Sequence, residues 1–272
     1  MFTTSRPLPG ITHITDAMGV SFTLAEGKDR AILFDTGYGT EDVRTFVSTL
    51  TGKPLTVLLS HGHHDHMLGA RWFPETWLCE EDLEEFRLRS GEEQRTKVKQ
   101  QAENGGVPVP DDFLTAVIPE PRILRFDGKT GPFDSLTVDL GGMTARVIRV
   151  PGHTPGSIVV FFPEAGLLLT GDDWNPCTWM WFPTSLSAAV WRDNMKTLIR
   201  TLEEVTGTEI RHVLCSHQPM IREGKELKEF LAYMTDERMK EAPAADMGST
   251  IRTHQVTEEG KGWTLIFDRD KI

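Results

Sequence analysis

A chain of 272 residues, 39% of them hydrophobic, can fill one large domain or two ordinary ones. Its formal net charge of −11 argues against a nucleic-acid backbone or an anionic membrane as main partner. Cys79, Cys177 and Cys215 are odd in number and show no CxxC spacing, which excludes a cysteine-based zinc finger and suits a reducing compartment. Residues 1–10 hold no apolar core, and no run reaches the roughly 18 apolar residues of a membrane span, so the expectation is a cytoplasmic protein.

The chain opens on short apolar segments and turns. Residues 10–14, 19–24 and 31–34 read as strands, with Glu26-Gly27-Lys28-Asp29 as a hairpin turn. Residues 40–50 follow as a helix with Val43, Phe46, Val47 and Leu50 on one face. The apolar run 55–59 is a strand that feeds His61-Gly62-His63-His64-Asp65-His66. That stretch holds four histidines and one carboxylate in six residues, all of them groups that bind divalent metals.

Residues 67–73 are predicted to open a helix, and 76–79 a short strand. Residues 80–103 are charged and helix-favouring, with a thin apolar stripe at Leu83, Phe86, Leu88 and Val98. Up to residue 121 this is a helical insertion in one domain spanning 1–272, too polar to hold a core of its own. Strands resume at 122–126, 136–140, 144–150, 157–162 and 167–169. Between two of them lies the tight turn Pro151-Gly152-His153-Thr154-Pro155-Gly156. Thr170-Gly171-Asp172 leads into an aromatic loop with Trp174, Trp179, Trp181 and Phe182. A helix at 187–205, a strand at 211–215 delivering His217, a helix at 225–239 and a hairpin at 251–267 complete the chain.

Buried strands repeatedly end in a polar group: Asp35, His61, Asp172 and His217. Strand ends converging on one sheet edge are where α/β proteins build sites. Zinc takes about four ligands. The backbone of the cluster aims alternate side chains at two neighbouring ions more easily than all of them at one, which divides it into His61/His63 and Asp65/His66. His153, Asp172 and His217, each at a strand end or tight turn among small residues, are the candidates to complete the set. His13, His64, His212 and His254 lack that setting, and His64 is expected to point away.

These motifs, His-x-His-x-Asp-His at His61–His66, Pro-Gly-His-Thr-Pro-Gly at His153, Thr-Gly-Asp at Asp172 and Ser-His at His217, stand in one order over residues 10–218. In this the chain resembles the metallo-β-lactamase-fold hydrolases, glyoxalase II and lactonases among them. The resemblance implies an α+β fold, a four-layer αβ/βα sandwich of two mixed sheets with outer helices. It also implies a dinuclear site: His61, His63 and His153 on one ion, Asp65, His66 and His217 on the other, and Asp172 as the bridge. Asp35 matches an early aspartate of the family and reads as an orienter behind the ligands. The ions are expected to be Zn²⁺, with iron or manganese as alternatives.

Two such ions would bring a shared water to hydroxide near neutral pH, with Asp65 orienting it or carrying a proton. The tryptophan loop (Trp174, Trp179, Trp181) and the phenol of Tyr38 are candidate pocket residues. They suggest a small ester, thioester or lactone with an apolar part. Departures from subfamily patterns weaken closer assignments. Arg222, Lys225 and Lys228 alternate with glutamates where hydroxyacylglutathione hydrolases carry a basic region, and Asp173-Trp174-Asn175 stands where related lactonases have a tyrosine. Alternatives outside hydrolysis are a persulfide dioxygenase-like enzyme with one iron and a non-catalytic ligand sensor. The stripe on residues 80–103 is read as a solvated face, with a homodimer contact as the alternative.

Overall fold

Strands that are apolar on both faces need cover on both sides, and several here are fully buried, among them Ala31–Phe34 and Ile158–Phe162. The computed structural model describes residues 1–272. Its first sheet runs in chain order through β1 (Thr3–Leu8), β2 (Ile11–Thr15), β3 (Ser21–Glu26), β4 (Ala31–Phe34), β5 (Leu55–Leu58), β6 (Trp77–Leu78) and β7 (Arg122–Ile123). Pairing is antiparallel up to β4 and parallel from β4 onward. The switch to parallel needs crossovers, and these carry α1 (Val43–Leu50), the turn α2 (His64–Met67), α3 (Leu83–Arg89) and α4 (Glu92–Asn104).

The second sheet holds β8 (Gly128–Thr130), β9 (Phe133–Asp139), β10 (Thr144–Arg149), β11 (Ile158–Phe162) and β12 (Leu167–Leu169). After β13 (Cys177–Met180) and α5 (Ala188–Thr206), β14 (His212–Leu214) pairs parallel with β12, and β15 (Arg222–Glu223) closes the edge. Helices α6 (Gly224–Tyr233) and α7 (Asp236–Glu241) lead to the hairpin β16 (Thr253–Glu258) and β17 (Trp263–Asp268). β13 joins that hairpin by pairing parallel with β17, making a third, small sheet.

Side-chain alternation sets the layers. Ile32, Phe34 and Leu58 meet Ile158, Val160, Phe162 and Leu169 between the two large sheets. The alternate residues Leu24, Leu33 and Val57 pack on Val43 and Val47 of α1. Val159, Phe161 and Leu168 pack on Trp191, Met195 and Leu198 of α5 and Phe230 of α6. The result is helix, sheet, sheet, helix: an α+β sandwich with each sheet covered on both faces. No helix is long and apolar enough to cross a membrane.

Several elements differ from their prediction. β1 escapes the hydrophobic pattern because Thr3–Leu8 is a mostly exposed edge strand. The helix expected at 80–103 breaks at Gly91, and that expected at 225–239 breaks at Thr235, whose hydroxyl caps α7 by accepting from the Arg238 amide. The helical turn expected at 67–73 is a 3₁₀ turn, Leu68–Trp72, preceded by α2. The thin stripe of the insertion faces inward: Phe86, Val98, Ala102 and Phe113 are buried, the first two and Phe113 against Leu59, Met67 and Leu68. The stripe is therefore not the solvated face expected of it; Leu88 alone of its residues is exposed.

The ligand-bearing segment after β5 is seated by close backbone approach. The Thr36 amide and hydroxyl both donate to the His66 carbonyl, and a Cβ on Gly69 would lie 2.1 Å from the Thr36 carbonyl oxygen. Gly69→Ala is therefore expected to cost about 3 kcal/mol by overpacking, read as a lower denaturation midpoint with an unchanged slope.

Candidate metal centre

Strands β4, β5, β12 and β14 each release polar side chains at their exits. Asp35 follows β4 with φ of 71°, the sole non-glycine residue in the left-handed region. Such strain persists where the surroundings fix it, and here its carboxylate is held on three sides. Oδ1 accepts from the Ser60 amide at 2.6 Å, and Oδ2 accepts from the Ser60 hydroxyl at 2.8 Å and faces His66 Nδ1 at 3.1 Å. Ser60 Oγ in turn lies 2.8 Å from His61 Nδ1. Asp35 thus sets the outer nitrogen of His66 directly and that of His61 through Ser60.

His153 is fixed in the same way. Its amide donates to Asp173 Oδ1 at 2.9 Å, and its Nδ1 donates to the Trp179 carbonyl at 2.7 Å. Asp82 clasps two ligand loops together: Oδ2 accepts from the Gly62 amide and the Thr154 hydroxyl, and Oδ1 from the Gly156 amide. The glycines there are required by contact, since a Cβ on Gly62 would meet the Phe86 amide nitrogen at 2.7 Å and one on Gly156 the Asp82 amide nitrogen at 2.8 Å.

With outer atoms fixed, the inner atoms converge in two groups. His61, His63 and His153 form one, and Asp65, His66, Asp172 and His217 the other, the donor atoms of each lying within 4.8 Å of one another. His153 Nε2 is 3.0 Å from His63 Nδ1. Asp172 Oδ2 is 3.1 Å from His217 Nε2, 3.3 Å from His66 Nε2 and 3.7 Å from His153 Nε2, so it faces both groups. Asp65 Oδ2 lies 3.4 Å from His66 Nε2 and 3.6 Å from His217 Nε2.

Charge distinguishes the groups. Burial, then the neighbouring histidines, hold His61 well below its ordinary range; burial and His63 bring His153 down to about 3. Both are neutral imidazoles at pH 7. Burial opposes ionisation of Asp65 and Asp172, but the adjacent His66 and His217 outweigh it and keep both well below the carboxylate range. Burial likewise disfavours charge on His66, and Asp172 and Asp65 overcome it to push His66 well up. His61 Nε2, His66 Nε2 and Asp172 Oδ1 are buried with no hydrogen-bond partner. Buried orphan donors and acceptors facing one another are costly, and imidazole with carboxylate is the donor set that divalent ions take. The residues fit metal binding.

Above the donors opens a cavity of about 510 Å³. Trp179, Trp181 and Phe182 wall one side, with Trp181 stacked on Phe182 at 4.7 Å and Phe182 at 4.6 Å from the His63 ring. Tyr38 lines it, edge-on to His64 at 5.6 Å. Trp174 does not: it is fully buried in the core beside Phe230, because the chain turns inward before β13 starts. His64 was expected to point away, and it does stand outside both donor groups. It nonetheless lines the cavity, its Nδ1 4.0 Å from Asp65 Oδ1. Sequence reading missed Ser60, Asp82, Glu85, Arg89 and Asp173. Glu85 Oε1 lies 3.4 Å from His63 Nε2 and accepts from Arg89 Nε at 2.7 Å. In sequence both sit in an ordinary charged helix with no distinguishing signal.

Residues 15–172 match the model of the metallo-beta-lactamase superfamily. The chain is 28% identical over 190 residues to the beta-lactamase-like protein 2 homolog of Drosophila melanogaster, covering 61% of this chain and 55% of that one. It is 22% identical over 144 residues to the probable metallo-hydrolase YqgX of Bacillus subtilis, covering 53% and 61%. The chain thus spans little more than half the length of these curated relatives. Among solved structures, a metallo-beta-lactamase from Pontibacter korlensis is similar in fold, with a TM-score of 0.55 over 85% of this chain and 98% of that one at 18% identity.

Asp35→Asn replaces an acceptor of Ser60 and His66 with an amide, and zinc affinity is expected to fall roughly 10- to 100-fold, measured by competition with a chromogenic chelator; unchanged affinity would exclude the orienting role. His66 and His217 are both raised, against burial, by Asp172 and Asp65. They therefore carry protons in the metal-free protein, and an ion must displace them. Zinc loading at pH 6 is expected to release about two protons, and affinity to weaken as pH falls, read by calorimetry in buffers of different ionisation enthalpy.

Proposed function

Since the chain belongs to the metallo-beta-lactamase superfamily, we propose that it is a metal-dependent hydrolase of a small ester, thioester or lactone with an apolar part. The supporting observation is the pair of donor groups, both faced by Asp172, beneath a cavity with an aromatic wall. In this reading His61, His63 and His153 would hold one divalent ion and Asp65, His66 and His217 a second, with Asp172 facing both; zinc would suit the imidazole-rich set. When bound, such ions would supply Lewis acidity, lowering the pKa of water and polarising a carbonyl oxygen.

The side chains do the rest. Asp65 orients the attacking water and moves its proton to the leaving group; its ionised state leaves it able to accept that proton. His64 stands beside its other oxygen, and burial holds it down to about 4, so it is neutral and able to relay. Tyr38, pushed up by burial and then by Asp65, stays a phenol and offers a donor to substrate oxygen. Trp179, Trp181 and Phe182 exclude water from one side and take the apolar part. Three free cysteines suit a reducing cytoplasmic setting, with the insertion as part of a single domain.

Metal analysis of protein purified without added metal, joined to a panel of esters, thioesters and lactones, tests this. About two zinc ions per chain with turnover of a panel member is the expected result. One iron would favour a dioxygenase, and no hydrolysis of any panel member a sensor. Asp65→Asn at equal metal content should lower kcat by roughly 10³-fold; substantial residual turnover would remove Asp65 from proton transfer.

A further inference from the structure

Of the side chains lining the cavity, Arg89 alone carries a fixed positive charge. It closes α3, inside the insertion, and is tied at one atom: its Nε donates to Glu85 Oε1, which also faces His63. Its terminal Nη1 and Nη2 have no protein acceptor. A brace for Glu85 alone would need only the Nε contact. The remaining edge of the guanidinium is a planar fork, the shape that binds a carboxylate through two parallel hydrogen bonds. Glu85 restricts its rotamers, so little further freedom is lost on binding. The guanidinium carbon lies 6.0 Å from the Phe182 ring, where the cationic fork adjoins the aromatic wall. The other polar lining residues outside the two donor groups, Tyr38, His64, Gln101, Asn175 and Gln218, offer an anion no fixed charge.

We propose that Arg89 is a specificity-determining residue that reads a carboxylate on the substrate, so that the preferred substrate carries an acyl chain ending in a second, free acid. The chain of that acyl group lies on the aromatic wall, and the scissile carbonyl reaches the donor groups. This deepens, and rests on, the hydrolase reading above.

The test uses the zinc-loaded full chain and two esters of equal chain length, the mono-4-nitrophenyl ester of glutaric acid and 4-nitrophenyl pentanoate, after subtraction of spontaneous hydrolysis. The wild type is expected to prefer the glutarate half-ester in kcat/KM by roughly 10- to 100-fold. Arg89→Gln should remove that preference mainly through KM, and Arg89→Lys should restore part of it. Absence of a wild-type preference, or an equal fall on both esters, would overturn the proposal; the latter outcome would make Arg89 only a brace for Glu85 and His63. Should neither ester be hydrolysed, the hydrolase reading fails separately, and tryptophan fluorescence titration with 5-phenylpentanoate and 5-phenylpentan-1-ol decides the anion site. Binding of the carboxylate weakened at least about tenfold in Arg89→Gln, with the alcohol less affected, sustains it; equal affinities in wild type and variant sink it.

Discussion

Two carboxylates, Asp172 buried and Asp65 half-buried, set among five imidazoles make an electrostatic demand that organises this molecule. Asp65 and Asp172 stay ionised only because positive charge is near, and burying a charge without compensation costs several kcal/mol. The demand is met by convergence: three strand exits, from both large sheets, and one tight turn bring the donors together. The outer contacts of the donor residues serve that convergence. Asp35 accepts strain to reach His66 and Ser60, Trp179 offers its carbonyl to His153, and Asp82 ties the loop after β5 to the turn before β11. A metal ion is the general solution to such a demand, and protons on His66 and His217 are the lesser substitute.

The helical segment at 80–121 belongs to the same organisation. A polar segment of about forty residues looks like an appendage because it lacks a core of its own. It gains one by lending Phe86, Val98 and Phe113 to the apolar patch beside the ligand turn. In return it places Asp82, Glu85 and Arg89 at the site. The charged residues that made it look solvated are in part the residues that reach inward.

That double use explains what the sequence could and could not reveal. Buried strands leave a long apolar run followed by a polar residue, so Asp35, His61, Asp172 and His217 stand out by position, and the sandwich follows from the same runs. Glutamate and arginine four apart on a helix look identical whether they face water or a ligand, so Glu85 and Arg89 gave no sign. Trp174 and Trp179 were equal as tryptophans in an apparent loop. Only the strand β13, which buries Thr178 and Met180 and exposes Cys177 and Trp179 in alternation, separates the packed ring from those at the cavity. Its pattern is legible once its partner is known, and that partner lies almost ninety residues away in the chain.

The pairing of β13 with β17 divides the labour of the chain. The residues that hold the donors all precede Gln218, yet the backbone of the aromatic wall is hydrogen-bonded to the C-terminal hairpin, with Trp179 beside Ile266. The donors and the aromatic wall are therefore braced by stretches far apart in the chain. A change in the last twenty residues shifts the aromatic wall and, through the Trp179 carbonyl that holds His153, reaches the donors themselves.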